Sequence, residues 1–158
     1  MAEYMNEALK LAKEALSIGE VPVGCVFVKD GLIIAKGRNT VNETRNATTH
    51  AEIVCINYVV THNKDWRSIL KDTEVIVTVE PCIMCAAVLL DLQIKKIVYG
   101  CANDRFGGIQ TIMNTPKLYS KQCSIVNGIQ EDETMELLKS FYKGTNPNAP
   151  ESKVKIKK

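Results

Sequence analysis

The sequence predicts an α/β fold in which helices cover both faces of a mixed β-sheet. Segments with apolar residues at helical spacing alternate with short, β-branched, largely apolar runs, and one pair of runs is joined by a tight-turn dipeptide. The strand–helix–strand steps imply parallel neighbours, whereas the hairpin adds an antiparallel pair. The 158 residues suit one domain with a sizeable core.

Each predicted element has a local signal. Gly19 is placed as a helix-ending glycine, and Asp30-Gly31 is typical of a two-residue hairpin turn. Residues 74–79 are almost wholly apolar, as in a central strand covered on both faces, and Pro81 fits the first position of a helix. The predicted elements, in chain order, are a helix over residues 5–16, strands over 21–29 and 32–36, a polar loop over 37–49, a helix from 50 to about 58, a strand over 74–79, a helix from 81 to about 92, a strand over 95–99, an irregular segment over 101–116, a short strand over 122–126 and a helix over 130–142.

The cysteines predict a metal site in a reducing compartment rather than disulfides. The six cysteines could pair in principle, but charged residues within positions 1–20 argue against a secretory signal peptide. No uninterrupted apolar run approaches membrane-spanning length, so we expect no membrane partner. The expected location is the cytoplasm or the nucleus.

Two short motifs, His50-Ala51-Glu52 and Pro81-Cys82-Ile83-Met84-Cys85, hold the groups with the most distinctive chemistry. Cys82 and Cys85 are spaced i, i+3 near a predicted helix N-terminus, which places both sulfurs on one face and favours thiolates. With His50 they can bind a zinc ion (Zn²⁺) through three ligands, leaving its fourth position to water. Since neither a second CxxC nor an HxxxH is present to complete a structural site, the motifs predict a hydrolytic centre.

Glu52 has two interpretations. Thr49-His50-Ala51-Glu52 matches a capping box, in which the Glu52 side chain would bond the backbone N–H of Thr49. Beside a candidate zinc ligand, the same carboxylate can take a proton from water and deliver protons to the substrate and the leaving group. Glu52 is therefore the candidate catalytic residue, and the helix cap is the alternative.

The H-x-E and P-C-x-x-C pattern is typical of zinc nucleobase deaminases. Residues 20–24, 37–39 and 79–87 closely resemble the tRNA adenosine deaminases, which form inosine at the wobble position of tRNA anticodons. Residues 98–108 and 141–155 look most like the catalytic subunit of the eukaryotic two-subunit enzymes. The resemblance implies a three-layer α/β/α sandwich around a five-stranded mixed sheet (cytidine deaminase-like), bound Zn²⁺, a tRNA substrate, and a homologous partner subunit or a homodimer.

The same resemblance implies roles for residues around the pocket. Asn39 would hydrogen-bond the flipped adenine, and Val23 would line its pocket. The backbone N–H of Ala51 would hold the edge of the base, and the carbonyl of Pro81 would lie near the departing ammonia. Simpler interpretations stay open for two of them, since Asn39 can be a turn residue and Val23 can be plain core.

The lysine-rich end of the chain indicates a polyanionic partner. Residues 143–158 hold five lysines against one glutamate, a net +4, which leaves −2 for residues 1–142. We expect residues 1–142 to form the zinc deaminase domain and residues 143–158 a basic tail. The resemblance implies that the tail contacts tRNA, whereas most lysine-rich ends are simply solvated. The candidate contacts are Lys153, Lys155, Lys157 and Lys158.

Two other functions remain open from the sequence. One is a cytidine or deoxycytidylate deaminase that acts on small nucleotides, which residues 21–24 and 81–87 disfavour. The other is a non-catalytic RNA-binding subunit that keeps zinc for stability. The intact Glu52 and the missing fourth ligand disfavour this second alternative.

Overall fold

The computed structural model describes residues 1–143 and shows a five-stranded sheet between two layers of helices. The predicted tail therefore lies outside the described residues, except for Lys143, which is the last residue of the final helix. The elements are helices α1 (Ala2–Ser17), α2 (Val41–Thr44), α3 (Ala51–His62), α4 (Trp66–Lys71), α5 (Ile83–Asp91) and α6 (Glu131–Lys143), strands β1 (Gly24–Lys29), β2 (Leu32–Arg38), β3 (Glu74–Val79), β4 (Lys96–Cys101) and β5 (Ser124–Val126), and a 3₁₀ turn (Thr115–Leu118).

The sheet is mixed, as predicted. Its strand order is β2-β1-β3-β4-β5. Strand β1 is antiparallel to both β2 and β3, whereas β3, β4 and β5 run parallel. The hairpin turns through Asp30 and Gly31, whose φ angles of 50° and 76° are those that an Asp-Gly turn favours.

Alternating side chains of the central strands form two hydrophobic cores, one on each face of the sheet. On one face Phe27, Val77 and Tyr99 pack with residues of α3 and α5. On the other face Val26 and Ile76 pack against α1. The predicted three-layer sandwich is confirmed, and no helix within residues 1–143 is both long and apolar enough to cross a membrane.

One end of the sheet gathers the segments that predicted chemistry. The first residue of β1, Gly24, pairs with the last residue of β2, Arg38. Because β1 is antiparallel to β3, its start also lies beside the carboxyl end of β3, where Val79 pairs with Cys101 of β4. The segments that flank these four strand ends therefore meet in space, as expected of a ligand site in an α/β fold.

Two predicted element boundaries were wrong for physical reasons. The α5 helix begins at Ile83, because Cys82 is its N-cap and has extended dihedral angles, so Pro81 lies before the helix rather than in its first turn. Strand β1 begins at Gly24 rather than residue 21, because the N–H of Val23 bonds the carbonyl of Val21 in a local turn. The α4 helix was not predicted at all, nor was the one-turn helix α2, which lies within the predicted polar loop over residues 37–49.

Candidate metal and active site

Three predicted ligands, His50, Cys82 and Cys85, lie together at this end of the sheet. The Sγ atoms of Cys82 and Cys85 are 3.5 Å and 3.6 Å from Nδ1 of His50. Their three ligand atoms all lie within 4.8 Å of one another. In the part of the chain that the structure describes, no fourth His, Cys, Asp or Glu joins this group.

The spacing of these atoms fits a tetrahedral zinc ion. Bonds of about 2.3 Å to sulfur and about 2.0–2.1 Å to nitrogen, at tetrahedral angles, separate a sulfur from a nitrogen by about 3.5–3.6 Å. Both sulfur–nitrogen distances in this group, 3.5 Å and 3.6 Å, have that value. One imidazole nitrogen and two thiol sulfurs are also the donor types that zinc prefers, so the residues fit the metal.

Two helix N-termini hold the three ligands. His50 is the N-cap of α3 and Cys82 is the N-cap of α5, where the Cys82 sulfur accepts a hydrogen bond from the N–H of Cys85 at 3.5 Å. The thiol of Cys85 and then the imidazole of His50 lower the pKa of Cys82 to about 4 by hydrogen bonding to its thiolate. The same contact with Cys82, together with burial, raises the pKa of Cys85. The site therefore favours the thiolate form of Cys82, which is the form that binds a metal.

Glu52 does not cap its helix. The N-cap of α3 is His50 rather than Thr49, no side chain caps this terminus, and the N–H of Thr49 bonds the carbonyl of Asn46 instead. Only 3% of Glu52 is exposed, and this burial raises the pKa of its carboxyl group. The capping-box interpretation is wrong, and Glu52 is left as a buried acid beside the ligand group.

A cavity of about 620 Å³ opens onto the ligand group. Its wall includes His50, Cys82 and Glu52 together with the predicted pocket residues Val23 and Asn39. Loop residues after β4, residues of α6 and a few residues next to β1, in α2 and at the end of β3 form the rest of the wall. The cavity can hold a nucleobase with its sugar, since small-molecule sites are commonly about 300–1,000 Å³.

Asn39 is oriented by a buried carboxylate, Glu20, for which the sequence predicts no role. Its amide Nδ2 donates to Oε2 of Glu20 at 3.0 Å, and its N–H donates to the carbonyl of Val23 at 3.0 Å. Glu20, 1% exposed, also accepts from the amide of Asn42 and the N–H of Glu43. A glutamate between a helix-ending glycine and a buried strand was the only sequence signal for this anchor.

Ala51 and Pro81 lie next to metal ligands, but their suggested contacts with the substrate stay predictions. Ala51 is fully buried as the first residue of α3, where a helix has unpaired N–H groups. The carbonyl of Pro81 accepts a hydrogen bond from the N–H of Gly108 at 2.8 Å. A carbonyl oxygen has two lone pairs, so a second donor can still approach.

Replacing Glu20 by glutamine should weaken substrate turnover through Asn39 without affecting the metal. The change removes the negative charge that orients the Asn39 side chain. We expect kcat/KM to fall about tenfold, which corresponds to the loss of one charge-assisted hydrogen bond. Zinc content should be unchanged. Glu43→Gln is the matched control, because within residues 1–143 the Glu43 carboxylate pairs with Arg38 at the surface. Equal kinetics for the two variants would contradict the role given to Glu20.

A family model for the cytidine and deoxycytidylate deaminase zinc-binding region matches residues 1–101. The chain belongs to this deaminase family. The match spans both motifs and therefore all three metal ligands and Glu52, so the zinc cofactor inferred from the motifs agrees with the family and with the geometry.

Within the deaminase family, the chain is similar in sequence to tRNA-specific adenosine deaminases. It is 46% identical to tRNA-specific adenosine deaminase 2 of Xenopus tropicalis, over 98% of this chain and 95% of that protein. It is 40% identical to tRNA-specific adenosine deaminase subunit tad2 of Schizosaccharomyces pombe, over 93% of this chain and 38% of that protein. The resemblance to tRNA adenosine deaminases is thereby confirmed.

Solved structures of other deaminases share the fold. One, from biochemical and structural studies of A-to-I editing by tRNA:A34 deaminases, has a TM-score of 0.78 and 30% identity, and the match covers 87% of this chain and 99% of that chain. The guanine deaminase from Nitrosomonas europaea has a TM-score of 0.73 at 19% identity, over 90% of this chain and 85% of that chain, which shows the fold alone.

Proposed function

We propose that this deaminase is the zinc-dependent catalytic subunit that converts adenosine to inosine at the wobble position of tRNA anticodons. The observation that supports it most is Glu52, a buried carboxylate in the cavity wall beside the His50, Cys82 and Cys85 group. This acid lies in a chain that is 46% identical, over nearly its whole length, to a tRNA-specific adenosine deaminase 2. A subunit that kept zinc only for stability would not need a buried acid in the cavity wall at this position.

The reaction exchanges the amino group on C6 of adenosine for the oxygen of water and releases ammonia. Zinc, which His50, Cys82 and Cys85 would hold, would make water acidic enough to act as a nucleophile near neutral pH. Glu52 would accept a proton from the attacking water on a carboxylate oxygen and donate it to the neighbouring ring nitrogen. It then takes the remaining proton from the new C–O group and passes it to the departing amino group.

The pocket orients the base and excludes water. Asn39 uses its Nδ2 to bind Glu20, so its carbonyl oxygen is the atom that would meet a donor on the base. Val23 lies in the cavity wall and gives the base an apolar surface. Glu52, 3% exposed, meets solvent chiefly through the cavity, which a bound nucleotide would close.

The mouth of the cavity suits single-stranded RNA. The cavity is lined there by Lys139, Tyr142 and Lys143 of α6 and by the loop residues Arg105 and Phe106. Phe106 is 60% exposed and Tyr142 is 48% exposed, and the guanidinium of Arg105 lies 4.7 Å from the Tyr142 ring centre. Exposed aromatic rings stack unpaired bases, and the cations meet phosphates, so this surface fits an anticodon loop better than a free nucleotide.

An inosine assay on several substrates tests this function. Purified protein would be incubated with tRNA bearing adenosine at the wobble position, the same tRNA with guanosine there, free adenosine, cytidine and deoxycytidylate. We expect inosine only with the first RNA. Turnover of cytidine or deoxycytidylate with none on tRNA would instead support a small-nucleotide deaminase.

We also propose that the chain works with a homologous partner subunit. The Schizosaccharomyces pombe relative is named a subunit, which supports this arrangement. The test is to repeat the inosine assay with the chain alone and after co-purification with a deaminase-like protein from the same cells. Full activity of the chain alone would contradict the need for a different subunit and leave a homodimer as the alternative.

Removing residues 151–158 should weaken tRNA binding and leave the metal site intact. The deletion takes away four lysines and one glutamate. Each lost phosphate contact should make tRNA affinity less dependent on salt, reducing the steepness of log affinity against log salt concentration by about 0.7–0.9. The measurement is tRNA affinity over a series of salt concentrations, with zinc content as the control. An unchanged affinity and slope would contradict a role for the tail.

A further inference from the structure

Glu80 is a buried carboxylate for which the mechanism has no use. It follows β3 and directly precedes Pro81 and Cys82, and only 1% of it is exposed. No ion pair within residues 1–143 includes it. A charge this deep is stable only if hydrogen bonds replace its lost water.

Those hydrogen bonds come from one surface segment, residues 103–111, which we name the 103–111 loop. Oε1 of Glu80 accepts three backbone N–H groups, and Oε2 accepts one N–H and one hydroxyl. The donors are the N–H groups of Ile109 (3.1 Å), Gln110 (2.8 Å), Thr111 (3.1 Å) and Asn103 (3.0 Å), and the hydroxyl of Thr111.

The loop fits closely around this carboxylate. A Cβ atom added at Gly107 would lie 2.5 Å from Oε2 of Glu80, so a larger residue there would displace one of them. Asn103 donates its Nδ2 to the backbone carbonyl of Glu80, and its Oδ1 accepts from the N–H groups of Arg105 and Phe106. The conformation at Arg105 and Phe106 is thus tied to Glu80 through Asn103.

The loop presents four residues to the cavity, namely Asn103, Asp104, Arg105 and Phe106. Arg105 and Phe106 are the exposed cation and the exposed aromatic ring among them. Arg105 and Phe106 line the cavity, and the backbone carbonyl of Phe106 accepts from the N–H of Ile83 at 2.9 Å. Any loop conformation that withdrew the five donors would leave a buried charge without partners. Glu80 therefore strongly favours the one conformation in which Arg105 and Phe106 face the mouth.

We propose that Glu80 is a positioning residue whose carboxylate holds the 103–111 loop as a preformed RNA-binding wall, so that it determines affinity for the anticodon loop rather than the rate of hydrolysis. The inference rests on the proposed function, because it takes RNA as the substrate. It assigns to Glu80 no contact with the reacting atoms.

Glu80→Gln tests the proposal, because glutamine keeps the shape of the side chain but removes its charge. Its amide NH₂ would also face the N–H groups of the 103–111 loop, with which it cannot form hydrogen bonds. The matched control is Glu74→Gln at the start of β3, the strand that Glu80 follows, where the carboxylate pairs with Lys96 at 3.4 Å. Kinetics would be measured on an anticodon stem-loop RNA with the zinc-loaded protein, together with its partner subunit if activity requires one. We expect KM to rise about tenfold, kcat to stay within about threefold, and zinc content to match the control.

Amide hydrogen exchange gives a second readout. In Glu80→Gln, exchange should become faster at residues 109–111 than in the control variant. If Glu80→Gln does not fold, Thr111→Val removes one donor and should raise KM about threefold, whereas Thr111→Ser keeps the hydroxyl and should match the unsubstituted protein.

Two results would overturn the role of Glu80. The first is a fall in kcat at constant KM, or a loss of zinc, which would place its effect at the metal site. The second is faster loop exchange with an unchanged KM. If the unsubstituted protein formed no inosine, the proposed function itself would be contradicted. A failure of the proposed function can therefore be told apart from a failure of the role given to Glu80.

Discussion

Glu52→Gln should lower inosine formation on tRNA about 10³-fold, since a positioned acid–base group contributes about 10²–10⁴ to a rate. Glutamine has nearly the same size but can neither accept a proton from water nor deliver one to the base. Glu52 makes no cap for α3, so the helix should not be weakened. The measurements are single-turnover inosine formation, zinc content and tRNA affinity, of which only the first should change.

The matching control for Glu52→Gln is Glu43→Gln, which neutralises a carboxylate that pairs with Arg38 at the surface. It should retain full activity. Retained turnover in Glu52→Gln, with zinc bound, would contradict the role of Glu52 as the acid–base group of the reaction.

Cys82→Ser should abolish both zinc binding and activity. The serine hydroxyl is a poor zinc ligand at neutral pH, and two remaining ligands hold the ion weakly. We expect zinc content of the purified protein to fall below about a tenth of one ion per chain, with activity lost in proportion, because losing a ligand costs more affinity than the 10–100-fold typical of changes in residues that only orient a ligand. Elemental analysis and the inosine assay measure the two effects.

Cys123→Ser is the control for the ligand variant, because Cys123 is a free, half-buried thiol that precedes β5 and does not belong to the ligand group. It should keep both zinc and activity. The melting temperature of Cys82→Ser should also fall, since a ligand that binds only the folded chain stabilises it. An active, zinc-loaded Cys82→Ser would contradict the ligand assignment.

Much of this site could be predicted from the sequence, because its chemistry depends on residue types at fixed short spacings. His50, Glu52, Cys82 and Cys85 occur in two motifs, and the alternation of strands and helices then required those motifs to meet. The strand over residues 74–79 was predicted with its observed bounds, since an apolar β-branched run has few other interpretations.

Other features could not be predicted because they depend on contacts between distant segments. Glu20 and Glu80 are single acidic residues, which in a sequence look like ordinary surface charges. Their burial is possible because the fold brings hydrogen-bond donors to them. Glu20 accepts from the amides of Asn39 and Asn42 and from a backbone N–H, and Glu80 accepts from four backbone N–H groups and a hydroxyl of the 103–111 loop. The helix Trp66–Lys71 is short and has a single buried residue, Leu70, so its apolar period is too brief to detect.

All of the proposed chemistry requires one zinc ion that is bound by one nitrogen and two sulfurs, with its last position left to solvent. X-ray absorption spectroscopy of the purified, zinc-loaded protein measures these neighbours. We predict two sulfur neighbours at about 2.3 Å and two nitrogen or oxygen neighbours at about 2.0–2.1 Å, one of which exchanges with added anions. Three or four sulfur neighbours, or four protein ligands with no exchangeable position, would contradict the account.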